Sequence, residues 1–146
     1  MQLARPSFRA DVVGSLLRPQ AIHDARAKRE AGQIAPEALR EIETKCVRDA
    51  VAMQKSVGLK VCSDGEFHRR HWFLDFIERI DGVTIKGSLP AKFHSASGES
   101  EWAPPRIEVH GKLERTRSLA VHDFESLLPI ARAAGLVAKQ PIPSPT

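Results

Sequence analysis

The chain has 146 residues, with 22 Lys and Arg against 18 Asp and Glu for a formal net charge of +4, 42% hydrophobic and 27% charged residues. This composition is typical of one globular domain and excludes a collagen-like chain, a disulfide scaffold and an acidic disordered tail. The basic surplus is interleaved with acidic residues rather than clustered on one face, so a nucleic-acid partner is not expected.

The cellular location is also constrained by the sequence. Cys46 and Cys62 are the two cysteines and show no metal-type spacing, which indicates a reduced, cytoplasmic compartment. The segment Met1–Phe8 lacks the apolar region of a signal peptide, and no stretch approaches the ~20 apolar residues of a membrane span. We therefore expect no membrane partner.

The first predicted elements are a strand and a helix. A strand over Arg9–Val13 runs into a loop at Gly14-Ser15, and a helix follows over Ala21–Ala31. The loop is expected at the end of the strand because Gly allows a sharp turn.

The strongest periodic pattern lies between Pro36 and Gly58. Apolar residues recur there every three or four positions and share one face of a helix: Leu39, Ile42, Cys46, Ala50, Met53 and Val57. Pro36 suits the first helical turn, and Gly58 suits the position just past the end. The pattern predicts a long amphipathic helix that buries this face.

A second strand, Leu59–Ser63, leads directly into Asp64-Gly65-Glu66. A strand, a helix and a second strand make a βαβ unit, which predicts a parallel sheet with a right-handed crossover. A short helix is then expected over His71–Arg79. Its inner side carries three aromatic residues, Trp72, Phe73 and Phe76.

The rest of the chain predicts a hairpin, a helix and a third core strand. Val83–Lys86 and Arg106–His110 pair around a Gly/Ser/Pro-rich excursion. A helix over Val121–Ala134 ends at Gly135, and Ala138–Ile142 forms the strand. This order of elements predicts an α/β fold.

Candidate chemistry lies after the three predicted strands, where α/β barrels place their catalytic groups. Gly14-Ser15 follows the first strand, Glu66 the second and Ser144 the third. The Ser15 amide and hydroxyl suit a carboxylate, and Glu66 suits an ammonium group, so together they suit both ends of an amino acid. Such residues are also common in turns, and spacing alone favours plain turns.

Three blocks of sequence, in order, carry a more specific signal. They are Val12–Pro19 (VVGSLLRP), Ser63–Phe67 (SDGEF) with Arg69, Trp72, Asp75 and Phe76 downstream, and Pro141–Pro145 (PIPSP). On these blocks the chain resembles the cobalamin-independent methionine synthase family, in particular its short single-barrel branch. The likeness covers nearly the whole chain.

The resemblance implies a fold and an activity. The fold is the N-terminal portion of a (β/α)8 barrel of the methionine synthase and uroporphyrinogen decarboxylase-like type, with an inserted β-hairpin, as a single truncated domain over residues 1–146. The activity is that of a 5-methyltetrahydropteroyltriglutamate–homocysteine S-methyltransferase. A methyl-folate donates the methyl group, and zinc binds the acceptor thiol as thiolate.

The resemblance also assigns residues. Gly14 and Ser15 contact the carboxylate region of homocysteine, and Glu66 holds its amino group. The secondary positions are Asp64, Arg69 and Trp72. His68 stands where the family more often has Arg, which puts an anion contact there in doubt.

No zinc is expected in this chain alone. The family's ligands, a His-x-Cys pair, a Glu and a further Cys, belong to later strands. Four local candidates lie within ten positions: Cys62, Asp64, His68 and His71. A core thiol and two exposed histidines explain this set better than a metal site. We therefore expect no catalytic residue and no methyl transfer in the isolated chain.

The remaining candidates are weaker. Trp72, Phe73 and Phe76 suit a core, whereas Trp102 suits either a core or a loop over the site. Ser144 lacks the His and Asp partners of a nucleophile. The other histidines are expected at the surface: His23, His94, His110 and His122.

Two other functions stay open. One is a non-catalytic fragment or binding module that keeps part of the amino-acid site, and the other is a thiol alkyltransferase of the coenzyme M transfer type. Unpaired edges at Arg9–Val13 or Ala138–Ile142 further predict that the isolated chain self-associates or is only marginally folded.

Overall fold

A computed structural model describes residues 12–70, 74–88, 91–95, 98–103 and 105–143. The elements in chain order are α1 (Gln20–Glu30), α2 (Pro36–Ser56), β1 (Val61–Cys62), α3 (Leu74–Ile77), β2 (Asp81–Ser88), β3 (Ala91–Ser95), β4 (Gly98–Trp102), β5 (Pro105–Glu114), α4 (Val121–Ala134) and β6 (Val137–Ala138). The mixed α/β composition agrees with the predicted fold class.

Helix α2 has the predicted bounds, but its buried face is rotated. The helix starts at Pro36, where a missing N–H costs little. Its buried residues are Glu43, Cys46, Val47, Ala50, Val51 and Gln54. The predicted burial of Met53 and Val57 is wrong, because these side chains are 46% and 66% exposed.

Gln54 explains the rotation. Its Nε2 donates to the Ser63 carbonyl at 2.9 Å, and its Oε1 accepts from the Ser63 N–H at 3.0 Å. A buried amide with both groups satisfied is tolerated in a core, and it joins α2 to the end of β1. A pattern of apolar residues at helical spacing does not predict that a polar residue such as Gln54 is buried.

The parallel pair β1–β6 joins the second and third predicted strands, whereas the predicted crossover from Arg9–Val13 to Leu59–Ser63 is not seen in the described residues. Val61 pairs with Val137 and Cys62 with Ala138, and the Lys139 N–H donates to the Cys62 carbonyl at 2.8 Å. Both strands are shorter than predicted. The extension of the last strand to Ile142 is wrong, since Pro141 and Pro143 lack the N–H that a ladder needs.

The strand predicted over Arg9–Val13 is described only at its end. Val12 and Val13 are not in a strand, and Val13 is 89% exposed. Residues 9–11 lie outside the described part of the chain.

The core lies between helices α1, α2 and α4 and strand β1. Its buried members are Ile22, Cys46, Val47, Ala50, Val51, Cys62, Phe67, Leu127 and Ala131. Both cysteines are free and buried, as predicted for core thiols. Helix α4 has the predicted bounds and ends at Gly135, whose φ of 73° is the left-handed conformation that Gly favours.

The predicted hairpin is confirmed as the antiparallel pair β2–β5, with Val83 opposite Val109 and Ile85 opposite Ile107. The excursion between these strands contains a second antiparallel pair, β3–β4, which the sequence did not indicate. Helix α3 ends at Ile77, two residues before the predicted end at Arg79. Residues 71–73, which include Trp72 and Phe73, lie outside the described part, so the predicted start at His71 stays a prediction. No helix among the described residues is long and apolar enough to span a membrane.

Candidate functional site

The turn that follows β1 meets the segment that contains Gly14 and Ser15. The Ser63 hydroxyl donates to the Gly14 carbonyl at 2.7 Å, and the Leu16 N–H donates to the Gly65 carbonyl at 3.1 Å. These two hydrogen bonds bring together segments that are about 50 positions apart in sequence.

Ser15 and Glu66 are hydrogen-bonded at this junction. The Ser15 hydroxyl donates to Glu66 Oε2, and Arg69 Nη1 lies 3.3 Å from Glu66 Oε1. The Glu66 side chain is buried, whereas Ser15 is exposed. The buried carboxylate therefore faces a residue that solvent or a ligand reaches.

Gly14 is required by its contact with Pro141. A Cβ at position 14 would lie 2.2 Å from Pro141 Cγ and 3.4 Å from Glu66 Oε1. Arg69 Nη2 donates to the Pro141 carbonyl at 2.5 Å, which holds the third segment against the same turn. Residues from all three predicted strand ends thus converge.

The Glu66 backbone has an unusual conformation. Its φ of 58° is left-handed, in a residue other than Gly. Such a conformation costs about 1–3 kcal/mol and persists where surrounding contacts hold it. The Glu66 carbonyl accepts from the Arg69 N–H at 3.1 Å, so the turn is closed by its own backbone as well.

Asp64 stabilises this turn by a buried hydrogen bond to its backbone. It is fully buried, and its Oδ1 accepts from the Glu66 N–H at 2.9 Å. Its Oδ2 has no hydrogen-bond partner among the described residues. Burial raises the pKa of the Asp64 carboxyl above its usual range.

The histidine expected at the surface here is buried instead. The His68 side chain is 1% exposed, and its Nδ1 lies 3.1 Å from Glu43 Oε2. The prediction of an exposed His68 is wrong because Glu43, on α2, provides a buried polar partner. His71, Trp72 and Ser144 lie outside the described residues, and the side chain of Trp102 does as well.

Glu43 is the centre of a buried polar network that the sequence did not reveal. Arg26 donates to its Oε1 through Nη2 at 2.9 Å and Nε at 3.3 Å. Burial pushes the pKa of Glu43 upward, but the hydrogen bonds from His68 and Arg26 outweigh it, so the pKa is below its usual value. The sequence held one signal for this network, because Glu43 is a charged residue at helical spacing from the apolar residues of α2.

Two further cations reach the junction. Arg18 donates to backbone carbonyls of the turn after β1, and Lys139 Nζ donates to the Val12 carbonyl. Arg18 belongs to the VVGSLLRP block, but nothing in that block indicates its contacts. Lys139 follows β6 and reaches the segment before Gly14.

The arrangement suits a ligand that carries both charges of an amino acid. Glu66 offers a carboxylate for an ammonium group, and Ser15 offers a hydroxyl and an N–H at the exposed side. The hydroxyl has one proton, which the structure assigns to Glu66. An ammonium on Glu66 would free that proton for a carboxylate.

A metal does not fit the described residues. No three His, Cys, Asp or Glu side chains among residues 12–70, 74–88, 91–95, 98–103 and 105–143 converge on one point. Burial raises the pKa of the Cys62 thiol, which opposes the thiolate that a metal needs. His68 is paired with Glu43.

Comparison with known proteins supports a common family. The family described as cobalamin-independent synthase, catalytic domain, matches residues 8–127. The uncharacterized protein YxjH of Bacillus subtilis is 42% identical over 141 residues, which is 94% of this chain and 35% of YxjH. The 5-methyltetrahydropteroyltriglutamate–homocysteine methyltransferase of Acidiphilium cryptum is 31% identical over 84 residues, which is 58% of this chain and 11% of that protein.

Solved structures agree. A Listeria monocytogenes protein assigned as a vitamin-B12-independent methionine synthase superposes with a TM-score of 0.69 at 37% identity, over 96% of this chain and 37% of that one. A B12-independent methionine synthase from Shewanella, in complex with selenomethionine, has a TM-score of 0.52 at 20% identity, over 73% of this chain and 34% of that one, and shows the fold alone. The chain therefore spans about a third of the length of YxjH and of the two solved structures.

Proposed function

Because the chain belongs to the cobalamin-independent methionine synthase family, we propose that its Ser15–Glu66 site binds the amino-acid end of homocysteine in an S-methyltransferase reaction. The observation that carries the proposal is the hydrogen bond from Ser15 to Glu66, which joins two predicted site residues 51 positions apart. The similarity to the Acidiphilium methyltransferase supports the same substrate class.

The binding step is an exchange of hydrogen-bond partners. The substrate ammonium takes Glu66 Oε2 in place of the Ser15 hydroxyl, and the freed hydroxyl turns to the substrate carboxylate. Arg69 stays on Oε1, and its positive charge remains paired with the Glu66 carboxylate. A positively charged ammonium donor replaces a neutral hydroxyl donor on the carboxylate, which favours the exchange.

The methyl transfer itself needs groups outside this set. The sulfur of homocysteine binds the methyl carbon as the carbon leaves the folate nitrogen, and the thiol proton ends on that nitrogen. A free thiol has a pKa of about 8.5 and is mostly protonated at neutral pH. Since a metal does not fit the described residues, no activation of the thiol is derived from them.

We place the parallel pair β1–β6 in the wall of a (β/α)8 barrel, with β2–β5 as the inserted hairpin. Helix α4 precedes β6 and packs against α2, as a crossover helix in such a barrel does. The superposition on the Listeria structure over 96% of this chain supports this placement. A cytoplasmic location stays a prediction from the sequence.

A binding titration tests the site. We expect L-homocysteine, kept reduced, to shift the amide signals of Ser15 and Glu66 in the isotope-labelled chain. Glu66→Gln should weaken binding at least about tenfold, or 1.4 kcal/mol, because the ammonium loses its charged partner. The matched control is Glu41→Gln on the exposed side of α2, which should leave binding unchanged. No shift in the unaltered chain would refute the proposal.

Two ligands separate the alternatives. N-acetylhomocysteine lacks the ammonium, and 2-mercaptoethanesulfonate, the coenzyme M thiol, lacks the amino acid. Both should bind at least about tenfold more weakly than homocysteine if Glu66 binds the ammonium group. Equal binding of the sulfonate would favour the thiol alkyltransferase.

The isolated chain should contain no stoichiometric zinc and should not transfer a methyl group from methyl-folate to homocysteine. Elemental analysis and a product assay check these expectations. One tightly held zinc, or turnover that Glu66→Ala abolishes, would contradict them and would exclude the non-catalytic module.

The chain is further proposed to associate with a second copy through the β1–β6 sheet. Among the described residues each of these strands pairs with one neighbour, and Val137 and Ile142 are 51% and 62% exposed. Sedimentation velocity should show a dimer or larger species, and Val137→Lys should shift it toward monomer. A monodisperse monomer would refute this.

A further inference from the structure

The turn that presents Glu66 is held by a guanidinium from another segment. Arg18 Nη2 donates to the Glu66 carbonyl at 3.3 Å and to the Arg69 carbonyl at 2.9 Å. A single nitrogen therefore bridges both ends of one helical-type turn. Arg18 lies three positions after Ser15, so it also ties the turn to the segment that carries the hydroxyl.

A second guanidinium, that of Arg26, binds the carbonyl of Phe67, which lies between Glu66 and Arg69 in the sequence. Arg26 Nη2 donates to the Phe67 carbonyl at 2.6 Å, while Glu43 fixes the same guanidinium from the other side. Carbonyls at 66, 67 and 69 are thus bound by side chains from outside the turn. Arg26 has a structural partner in Glu43, whereas no carboxylate binds Arg18 in the described residues.

The hydrogen bonds from Arg18 and Arg26 hold the backbone of the turn that contains Glu66. Its left-handed φ of 58° is one that an L side chain rarely adopts, so external contacts are needed to keep it populated. The direction of the carboxylate toward Ser15 depends on that backbone angle. The contacts that hold the Glu66 carbonyl therefore hold the backbone from which the side chain extends toward Ser15.

Direct binding of substrate by Arg18 is not what the geometry favours. Its Nη2 is already shared between two carbonyls, and its Nε is buried without a partner in the described residues. Burial, together with the nearby Arg26, lowers the pKa of Arg18. Both observations describe a side chain turned into the protein.

We propose that Arg18 is a positioning residue for the amino-acid site, which holds Glu66 opposite Ser15 by bridging the carbonyls of Glu66 and Arg69. The inference rests on the proposed function for its consequence in binding. The positioning itself has a consequence without ligand, in the environment of the Glu66 carboxyl and the Ser15 amide.

Three variants test the proposal. Arg18→Met keeps the apolar stem and removes the donors, and Arg18→Lys restores a charge with donors on one nitrogen. Arg48→Met, at an exposed position of α2, is the matched control. Each chain is titrated with acid while the Glu66 carboxyl carbon is followed by NMR, and then with reduced L-homocysteine while the Ser15 amide is followed.

We expect Arg18→Met to change the Glu66 carboxyl and Ser15 amide signals without ligand and to weaken homocysteine binding about tenfold. Arg18→Lys should recover part of both effects, and Arg48→Met should match the unaltered chain within about twofold. The melting temperature of each variant shows that it is folded.

The outcomes separate the two proposals. If Arg18→Met leaves the Glu66 and Ser15 signals unchanged, the positioning role is refuted, whatever homocysteine does. If those signals change but the unaltered chain binds no homocysteine, the positioning role holds and the proposed substrate is wrong. If Arg18→Met binds as tightly as the unaltered chain while Glu66→Gln does not, Arg18 does not act on binding.

Discussion

The parallel unit (α1, α2, β1, α4 and β6) and the antiparallel ribbon (β2 and β5) bury their side chains to very different extents. In the parallel unit Cys62 and Leu127 are completely buried. In the ribbon the apolar residues of β5 stay accessible, with Val109 63% and Leu113 55% exposed. The ribbon is held by its backbone ladder, whereas the parallel unit is held by a core.

The candidate site residues lie in the parallel unit and not in the ribbon. The described candidate residues, Gly14, Ser15 and Glu66, lie beside the end of β1, where core packing and buried hydrogen bonds hold them in place. None of the described residues of the ribbon joins that site. A ladder of backbone hydrogen bonds aligns strands, but it does not orient a carboxylate against a hydroxyl.

The largest expected effect is the loss of core packing. Leu127→Ala should lower the free energy of unfolding by about 3 kcal/mol, since a fully buried Leu leaves a cavity. Val109→Ala, in the ribbon, should lower it by less than about 1 kcal/mol. Urea denaturation measures both, and equal losses would break the comparison.

The second largest effect is expected from the hydrogen bonds between Gln54 and Ser63 in the parallel unit. Gln54→Leu keeps the volume of the side chain but leaves the Ser63 N–H and carbonyl without their partner. We expect a loss of about 2 kcal/mol, because buried unpaired backbone groups are costly. Met53→Leu at the neighbouring exposed position is the control, and a similar loss there would show that helix α2, not the amide, is responsible.

The Glu43 network should make the parallel unit sensitive to acid. The folded-state pKa of Glu43 lies below the ordinary value of 4.5, so its stabilisation is present above about that pH and is lost as the pH falls through the folded-state pKa. Glu43→Gln should cost about 1–2 kcal/mol near neutral pH and less in acid. A cost that does not change with pH would refute this.

The smallest effect is expected at Asp64, with the opposite sign of pH dependence. Its raised folded-state pKa means that ionisation opposes folding, so stability from this group falls as the pH rises through the unfolded-state and then the folded-state value. Asp64→Asn keeps an oxygen for the Glu66 N–H and should differ from the unaltered chain by about 1 kcal/mol or less near neutral pH. The difference should shift in favour of the variant as the pH rises, and a shift in the other direction would contradict the account.

Much of the architecture followed from local patterns. The bounds of α2 and α4 were predictable because Pro36 and Gly135 mark helix ends by their own backbone geometry. The β2–β5 pairing was predictable from the Gly/Ser/Pro-rich excursion that separates the two segments. The rule that α/β barrels place catalytic groups at the carboxyl ends of strands made Gly14, Ser15 and Glu66 candidates, but spacing alone favoured plain turns, and only the resemblance to the family joined them in one site.

The predictions that were wrong concern residues whose partners lie far away in the sequence. The buried face of α2 was misjudged because Gln54 is satisfied by Ser63, which lies outside the helix. His68 was expected in solvent because its partner, Glu43, is 25 positions away. The roles of Arg18 and Arg26 were invisible for the same reason, as both bind carbonyls more than 40 positions away.

The sequence by itself determined helices α1, α2 and α4 and the family, because helix ends, hydrophobic period and short motifs are written within a few consecutive residues. Only the tertiary structure decided which oxygen of Glu66 faces Ser15 and which faces Arg69, and which polar residues are buried. These outcomes depend on partners that folding brings together, and a buried polar group is stable only where such a partner is present.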